Sequence, residues 1–131
     1  MLSGQKIVLA VTGSIAAYKS CELLRLLIKR GAEVSVIMTE AAQRFVTPLS
    51  FQALGAKKVY TGDWGDSTTA IPHIEATKEA SLLLVAPATA NILAKAAQGL
   101  ADDLLSAAIL AARCPVAYAP AMNTFMWHNQ A

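Results

Sequence analysis

Histidine and cysteine are scarce in this chain, two of each in 131 residues, and that scarcity removes several chemistries at once. With Asp and Glu scattered and only His73 and His128 available, no metal cluster is expected. Cys21 and Cys114 have neither CxxC spacing nor a matched histidine, so both read as reduced packing residues of a cytoplasmic protein. Charge is thin too: 15% Asp, Glu, Lys and Arg, a net charge of +2 and no basic run, so a nucleic-acid or membrane-surface footprint is not indicated. "MLSGQKIVLAVTGS" lacks a signal-peptide core, and no apolar run approaches the ~18 residues of a membrane span. GxGxxG and Gly-x-Ser-x-Gly are both absent, against a dinucleotide site and a serine-nucleophile elbow. So little charge leaves surface to be covered by other copies of the chain or by a ligand, and a homo-oligomer is expected.

What is present is apolar. Hydrophobic residues make up 55% of the chain, enough for the core of one domain over residues 1–131. "KIVLAVTG" is a continuous apolar run closed by Gly13, the mark of a strand buried on both faces. From Ser14 to Arg30 the residues Tyr18, Cys21, Leu24, Leu27 and Ile28 recur at three and four, predicting a helix that Gly31 ends. "EVSVIMT" is a second strand; "EAAQRF" and "PLSFQALG" read as short helices interrupted at Pro48. "KKVYTG" is a short third strand, and Asp63 to His73 a polar loop. "SLLLVAP" is a buried strand, "TANILAKAAQG" and "ADDLLSAAILAAR" are helices, and "PVAYAP" is the last strand. Strands alternating with helices predict a three-layer αβα, doubly wound parallel sheet of the flavodoxin or Rossmann-like kind.

In such a sheet the loops after the strands share one edge and hold the ligand. Those loops are "TGSIAAYKS", "MTEAA", "APATAN" and "APAMN", each leading small or hydroxyl residues into a helix N-terminus, which suits a phosphate. "TGSIAAYK" lacks the second and third glycines of a pyrophosphate loop, so a monophosphate held by Ser14 and Thr39 fits better. Taken locally, Gly13-Ser14 reads equally as a strand-to-helix turn with an N-cap serine, and Thr89, Asn91 and Ser106 read as caps. His73 follows Pro72 at the end of the polar loop, where a neutral imidazole can take a proton near pH 7; His128 reads as a surface residue.

"VTGSIAAYKS", "IPHIEAT", "APATANILAKAAQGLADDLLS" and "APAMNTFMW" together resemble the flavin-dependent cysteine decarboxylases, in particular those acting on 4'-phosphopantothenoylcysteine in coenzyme A biosynthesis. The resemblance runs over nearly the whole chain in order, and the Pro-x-Met-Asn-x-x-Met-Trp form is specific within the group. It implies FMN in a cleft between subunits of a trimer, often assembled into a dodecamer. By motif, Gly13, Ser14, Ile15 and Thr39 would hold the flavin phosphate region, and Ala88, Thr89, Asn91, Lys95 and Ser106 the rest of the cofactor. His73 would correspond to the family's active-site histidine. Asn123 and Met126, with Ala121 and Met122 beside them, would hold the substrate carboxylate and shape the site.

The implied reaction is decarboxylation of 4'-phosphopantothenoylcysteine to 4'-phosphopantetheine through oxidation of the thiol-bearing carbon to a thioaldehyde, loss of CO2 and re-reduction. Family members of pantothenate metabolism carry a reactive cysteine on a substrate clamp beyond the Pro-Ala-Met-Asn segment, and in many bacteria a phosphopantothenate-cysteine ligase follows. This sequence stops at Ala131. The expectation is a domain truncated before the clamp, able to bind FMN but impaired in completing turnover, with a fragment and a stand-alone form both left open. Two alternatives have other discriminants. A regulatory flavin-binding subunit would show no flavin reduction by substrate, and a flavodoxin-like electron carrier would show a stable semiquinone. An aromatic-acid flavin prenyltransferase would require clustered basic residues for a prenyl phosphate, which the sequence lacks.

Overall fold

The computed structural model describes residues 1–62 and 72–131, and of Pro72 and His73 the backbone alone. Five strands form one parallel sheet: β1 (Lys6–Val11), β2 (Glu33–Met38), β3 (Val59–Tyr60), β4 (Leu82–Ala88) and β5 (Val116–Pro120). Their order across the sheet is β3-β2-β1-β4-β5, so the winding reverses between β1 and β4. The helices are α1 (Lys19–Lys29), α2 (Pro48–Ala53), α3 (Pro72–Thr77), α4 (Ala90–Gln98), α5 (Leu104–Ala111) and α6 (Thr124–Trp127). Among the described residues no helix is long and apolar enough to cross a membrane.

The apolar runs explain the three layers. In β1, alternate residues point to opposite faces: Ile7, Leu9 and Val11 pack with Leu24 of α1 and Phe51 of α2, while Val8 and Ala10 pack with Ile92 of α4 and Leu105 of α5. Leu9, Leu24, Phe51 and Val85 are wholly buried. A strand apolar on both faces loses that burial unless helices cover both sides, and for each such side chain the burial is worth about 1.5–3 kcal/mol.

The helix expected from Ser14 to Arg30 is divided. Ile15–Tyr18 is a 3₁₀ turn and α1 begins only at Lys19. The tighter turn breaks the 3.6-residue phase of the pattern. Tyr18, assigned to the apolar face, is accordingly 59% exposed, while Leu24 is buried as expected. Gly31 follows the helix at φ +96°, a conformation that L side chains rarely adopt. Ala41–Arg44, within the expected "EAAQRF" helix, is also 3₁₀, and Pro48 opens α2 rather than only interrupting it. Within the expected polar loop, residues 63–71 lie outside the described residues, whereas the backbone of Pro72 and His73 forms the first turn of α3.

Candidate cofactor and substrate site

Because the winding reverses between β1 and β4, the connections leaving their carboxyl ends diverge and open a crevice. A cleft of about 420 Å³ lies there, with Gly13, Thr39, Thr89, Asn91 and Lys95 among its walls. It adjoins a hollow of about 580 Å³ that shares Thr39, Glu40, Lys95 and Asp103 and continues past Gln43, Thr61 and Gly62. Both are within the usual size of small-molecule sites.

Three strand ends make the walls. After β1, Gly13 lines the cleft, and next to it Ser14 is extended with its Oγ accepting from the Ala16 amide at 3.1 Å. After β2, Thr39 Oγ1 accepts from the Ala42 amide at 3.1 Å. After β4, Thr89 caps α4 by accepting from the Ile92 amide at 3.3 Å. Asn91 and Lys95, four residues apart, project from one face of α4. A Cβ on Gly13 would meet the Cβ of Ala41 at 2.5 Å, so the glycine lets the first two walls close on each other. Hydroxyl donors and a helix N-terminus converging on a crevice fit a phosphate-bearing group.

Lys95 and Ser106 are engaged within the protein. The Lys95 ammonium is 2.9 Å from Asp102 Oδ1 and 3.2 Å from Asp103 Oδ2, and these carboxylates, Asp102 foremost, raise its pKa against the effect of burial. Ser106 is 1% exposed; its Oγ donates to Asp103 Oδ1 at 2.6 Å, and its amide donates to the same oxygen at 2.7 Å. Burial pushes the Asp103 carboxyl up, but the Ser106 bonds and the Lys95 ammonium outweigh it and hold the group below the ordinary aspartate range. The result is a capping box that starts α5 at the seam between the two hollows.

The fourth strand end carries Ala121, Met122, Asn123 and Met126. The Ala121 amide donates to the Ala88 carbonyl at 3.0 Å, so this segment runs directly beside the end of β4. Asn123 caps α6, its Oδ1 accepting from the Met126 amide at 2.9 Å. Its side chain and that of Met126 face solvent and do not line the cleft formed by the other three walls. Ile15 is likewise 81% exposed. The His73 side chain lies outside the described residues.

Among the polar residues lining the first cleft, Thr12, Glu40, Arg44 and Asp103 are not among those expected from the sequence. Asp103 had a legible signal, the Asp-x-x-Ser capping pattern of "DLLS". Thr12 had a weaker one, a polar residue closing a buried strand. Glu40 and Arg44 reach the cleft because the segment after β2 is a 3₁₀ turn, which no local pattern marks. Burial raises the Cys21 pKa, in keeping with an inert packing thiol.

A family model described as Flavoprotein matches residues 1–131. The chain belongs to the flavoprotein family. This flavoprotein is 49% identical over 132 residues to the coenzyme A biosynthesis bifunctional protein CoaBC of Bacillus subtilis (strain 168), a match covering 100% of the chain and 32% of that protein. It thus spans about a third of the length of the curated relatives it matches. Among solved structures it is similar to the FMN-dependent cysteine decarboxylase SpaF, with a TM-score of 0.91 and 34% identity over 99% of this chain and 75% of that one. It is also similar to a PPC decarboxylase variant complexed with pantothenoylaminoethenethiol, with a TM-score of 0.80 and 35% identity over 95% of this chain and 71% of that one. The flavoprotein's parallel sheet with helices on both faces is the fold these neighbours share.

Proposed function

We propose that this flavoprotein binds FMN and decarboxylates 4'-phosphopantothenoylcysteine to 4'-phosphopantetheine in coenzyme A biosynthesis. The observation that carries the reading is the adjacency of two strand ends. The cleft built from Gly13, Thr39 and Thr89 lies beside a segment whose Asn123 amide is held with one end fixed. A cofactor site and a carboxylate-recognition group on neighbouring strands suit a reaction in which a redox cofactor must face the carbon next to the carboxylate-bearing one.

The residues fit the cofactor's phosphate by their chemistry: Thr39 and the start of α4 at Thr89 and Asn91 line the cleft, and the Ser14 hydroxyl stands next to the lining Gly13. When bound, FMN supplies reversible two-electron redox chemistry, which makes CO2 loss feasible because a thioaldehyde at the neighbouring carbon takes up the electrons left at Cα. The protein's part is binding, orientation and proton movement. Asn123 Oδ1 is taken by the Met126 amide, so the Nδ2 hydrogens are the end left for the substrate carboxylate. Ala121 and Met122 set the distance of that amide from β4, and Met126 shapes the site from the first turn of α6. His73, carried over by motif, is the base that takes the substrate proton. Lys95 and Ser106 border the cofactor through their aspartate partners.

A homo-oligomer completes the site in this reading. Ile15, Tyr18, Phe125 and Trp127, all more than half exposed, leave apolar surface at the edge that carries the cleft. A trimer, or a dodecamer of trimers, would cover it and place the cleft between subunits. The bifunctional relatives suggest a phosphopantothenate-cysteine ligase as the supplier of substrate.

The test is the visible spectrum of the purified protein, followed under anaerobic conditions as 4'-phosphopantothenoylcysteine is added. A flavin spectrum that bleaches is expected, and His73→Asn is expected to keep the colour and lose the bleaching. A colourless protein that takes up no FMN sinks the reading, and a His73→Asn protein that bleaches normally removes the histidine from it.

A further inference from the structure

Thr12 follows β1 directly and is 2% exposed. Its Oγ1 donates to the Pro87 carbonyl at 2.6 Å and accepts from the Thr89 amide at 3.1 Å. Both partners sit where regular pairing has stopped: the β1–β4 ladder ends at Ala10 and Val85, and the β4–β5 register shifts between Val85 and Ala88. Backbone groups that leave a ladder inside a protein must find another partner. Here one side chain serves two of them.

Ser20 makes a comparable bond one residue earlier, its Oγ donating to the Ala86 carbonyl at 2.6 Å while 2% exposed. The two hydroxyls differ in what they reach. Ser20 holds the strand before the cleft begins. Thr12 holds Thr89, the residue that caps α4 and lines the cleft, and is itself joined to Gly13 of the opposite wall.

We propose that Thr12 is a positioning residue for the cofactor, setting Thr89 and the start of α4 against the Gly13–Ser14 turn so that both walls meet one ligand. The inference rests on the FMN reading above. Thr12 acts through Thr89, since its hydroxyl donates its proton to Pro87 and accepts from Thr89. Valine has the same shape but would take the hydroxyl away from a buried carbonyl and a half-buried amide, which costs more than the bond itself is worth. Serine keeps both bonds.

The experiment measures FMN dissociation constants by quenching of flavin fluorescence, with apo-protein melting temperatures alongside, for the wild type, Thr12→Val, Thr12→Ser and Ser20→Ala. The wild type and Thr12→Ser are expected to bind alike and Thr12→Val roughly ten- to a hundredfold more weakly. Ser20→Ala is expected to melt lower with its FMN affinity unchanged. Unchanged affinity in Thr12→Val overturns the inference, as does a Ser20→Ala loss as large as that of Thr12→Val, which would mark general destabilisation. A wild type that takes up no FMN overturns the cofactor reading instead, a distinct result. Amide hydrogen exchange in the wild type needs no variant to fold: Thr89 is expected to be protected, and exchange at the rate of a free amide removes the bond on which the inference stands.

Discussion

Gly13 and Ala41 stand so close that a Cβ on the glycine would lie 2.5 Å from the Cβ of the alanine. Two strand ends separated by β2 and α1 are thus packed backbone against side chain at the cleft, and the missing Cβ is what allows it. Gly13→Ala is expected to lower stability by about 1–3 kcal/mol through overpacking and to weaken FMN uptake as the walls move apart. Because the shortest contact is to the Ala41 Cβ, the double variant Gly13→Ala/Ala41→Gly is expected to recover part of both. Thermal unfolding and flavin absorbance measure this, and a double variant no better than the single one would refute the steric account.

Asp103 links acid stability to the start of α5. Its folded pKa is depressed, so its contribution is present above the unfolded value of 3.8 and is lost as pH falls through the lower folded value. Asp103→Ala is expected to cost about 1 kcal/mol at neutral pH through the lost cap and to flatten the acid limb of the melting curve. Equal slopes for variant and wild type on that limb would show that the aspartate does not titrate as described. Lys95 has the opposite sign, with a folded pKa raised above 10.5 and a contribution that is lost only at strongly alkaline pH.

Asn123 separates a structural from a chemical role. An aspartate there keeps an oxygen for the Met126 amide, so the cap survives, but it offers no donors and repels a substrate carboxylate. Asn123→Asp is expected to leave the melting temperature and flavin spectrum unchanged while slowing substrate-driven bleaching roughly ten- to a hundredfold. Wild-type bleaching rates in this variant would withdraw the amide from carboxylate binding.

Leu24 tests the layer opposite to α4. It is fully buried against Leu9 and its neighbours, so Leu24→Ala is expected to cost about 2–5 kcal/mol of stability. The spectrum of bound flavin should not change, since α1 packs against the sheet face and supplies no wall of the cleft. A shifted flavin spectrum at full occupancy would contradict that separation.

The strands, helices α1, α2, α4 and α5 and the hydroxyl-bearing loops were legible in the sequence because each is a local signal, whereas α3 and α6 were not. A run apolar at every position can be buried only between two layers, which by itself requires helices on both faces of a parallel sheet. Gly13, Ser14, Thr39 and Thr89 were legible for a related reason, as small or hydroxyl residues where an apolar run ends. Tyr18 was misplaced because a 3₁₀ turn and an α-helical turn share a composition and differ only in phase. The internal partners of Lys95 depend on α4 and the start of α5 meeting across Gly99 and the residues after it, which periodicity does not report, whereas Ser106 and Asp103 pair within one local cap.

By itself, then, the sequence determined which segments are strands, which faces are apolar and which residues stand at strand ends, since these depend on neighbours a few positions away. Only the tertiary structure decided that Thr12 meets Thr89, that Gly13 meets Ala41 and that Ala121 runs beside Ala88. Those pairings follow from the order β3-β2-β1-β4-β5, which is settled by how the whole chain covers both faces of its sheet rather than by any short stretch of it.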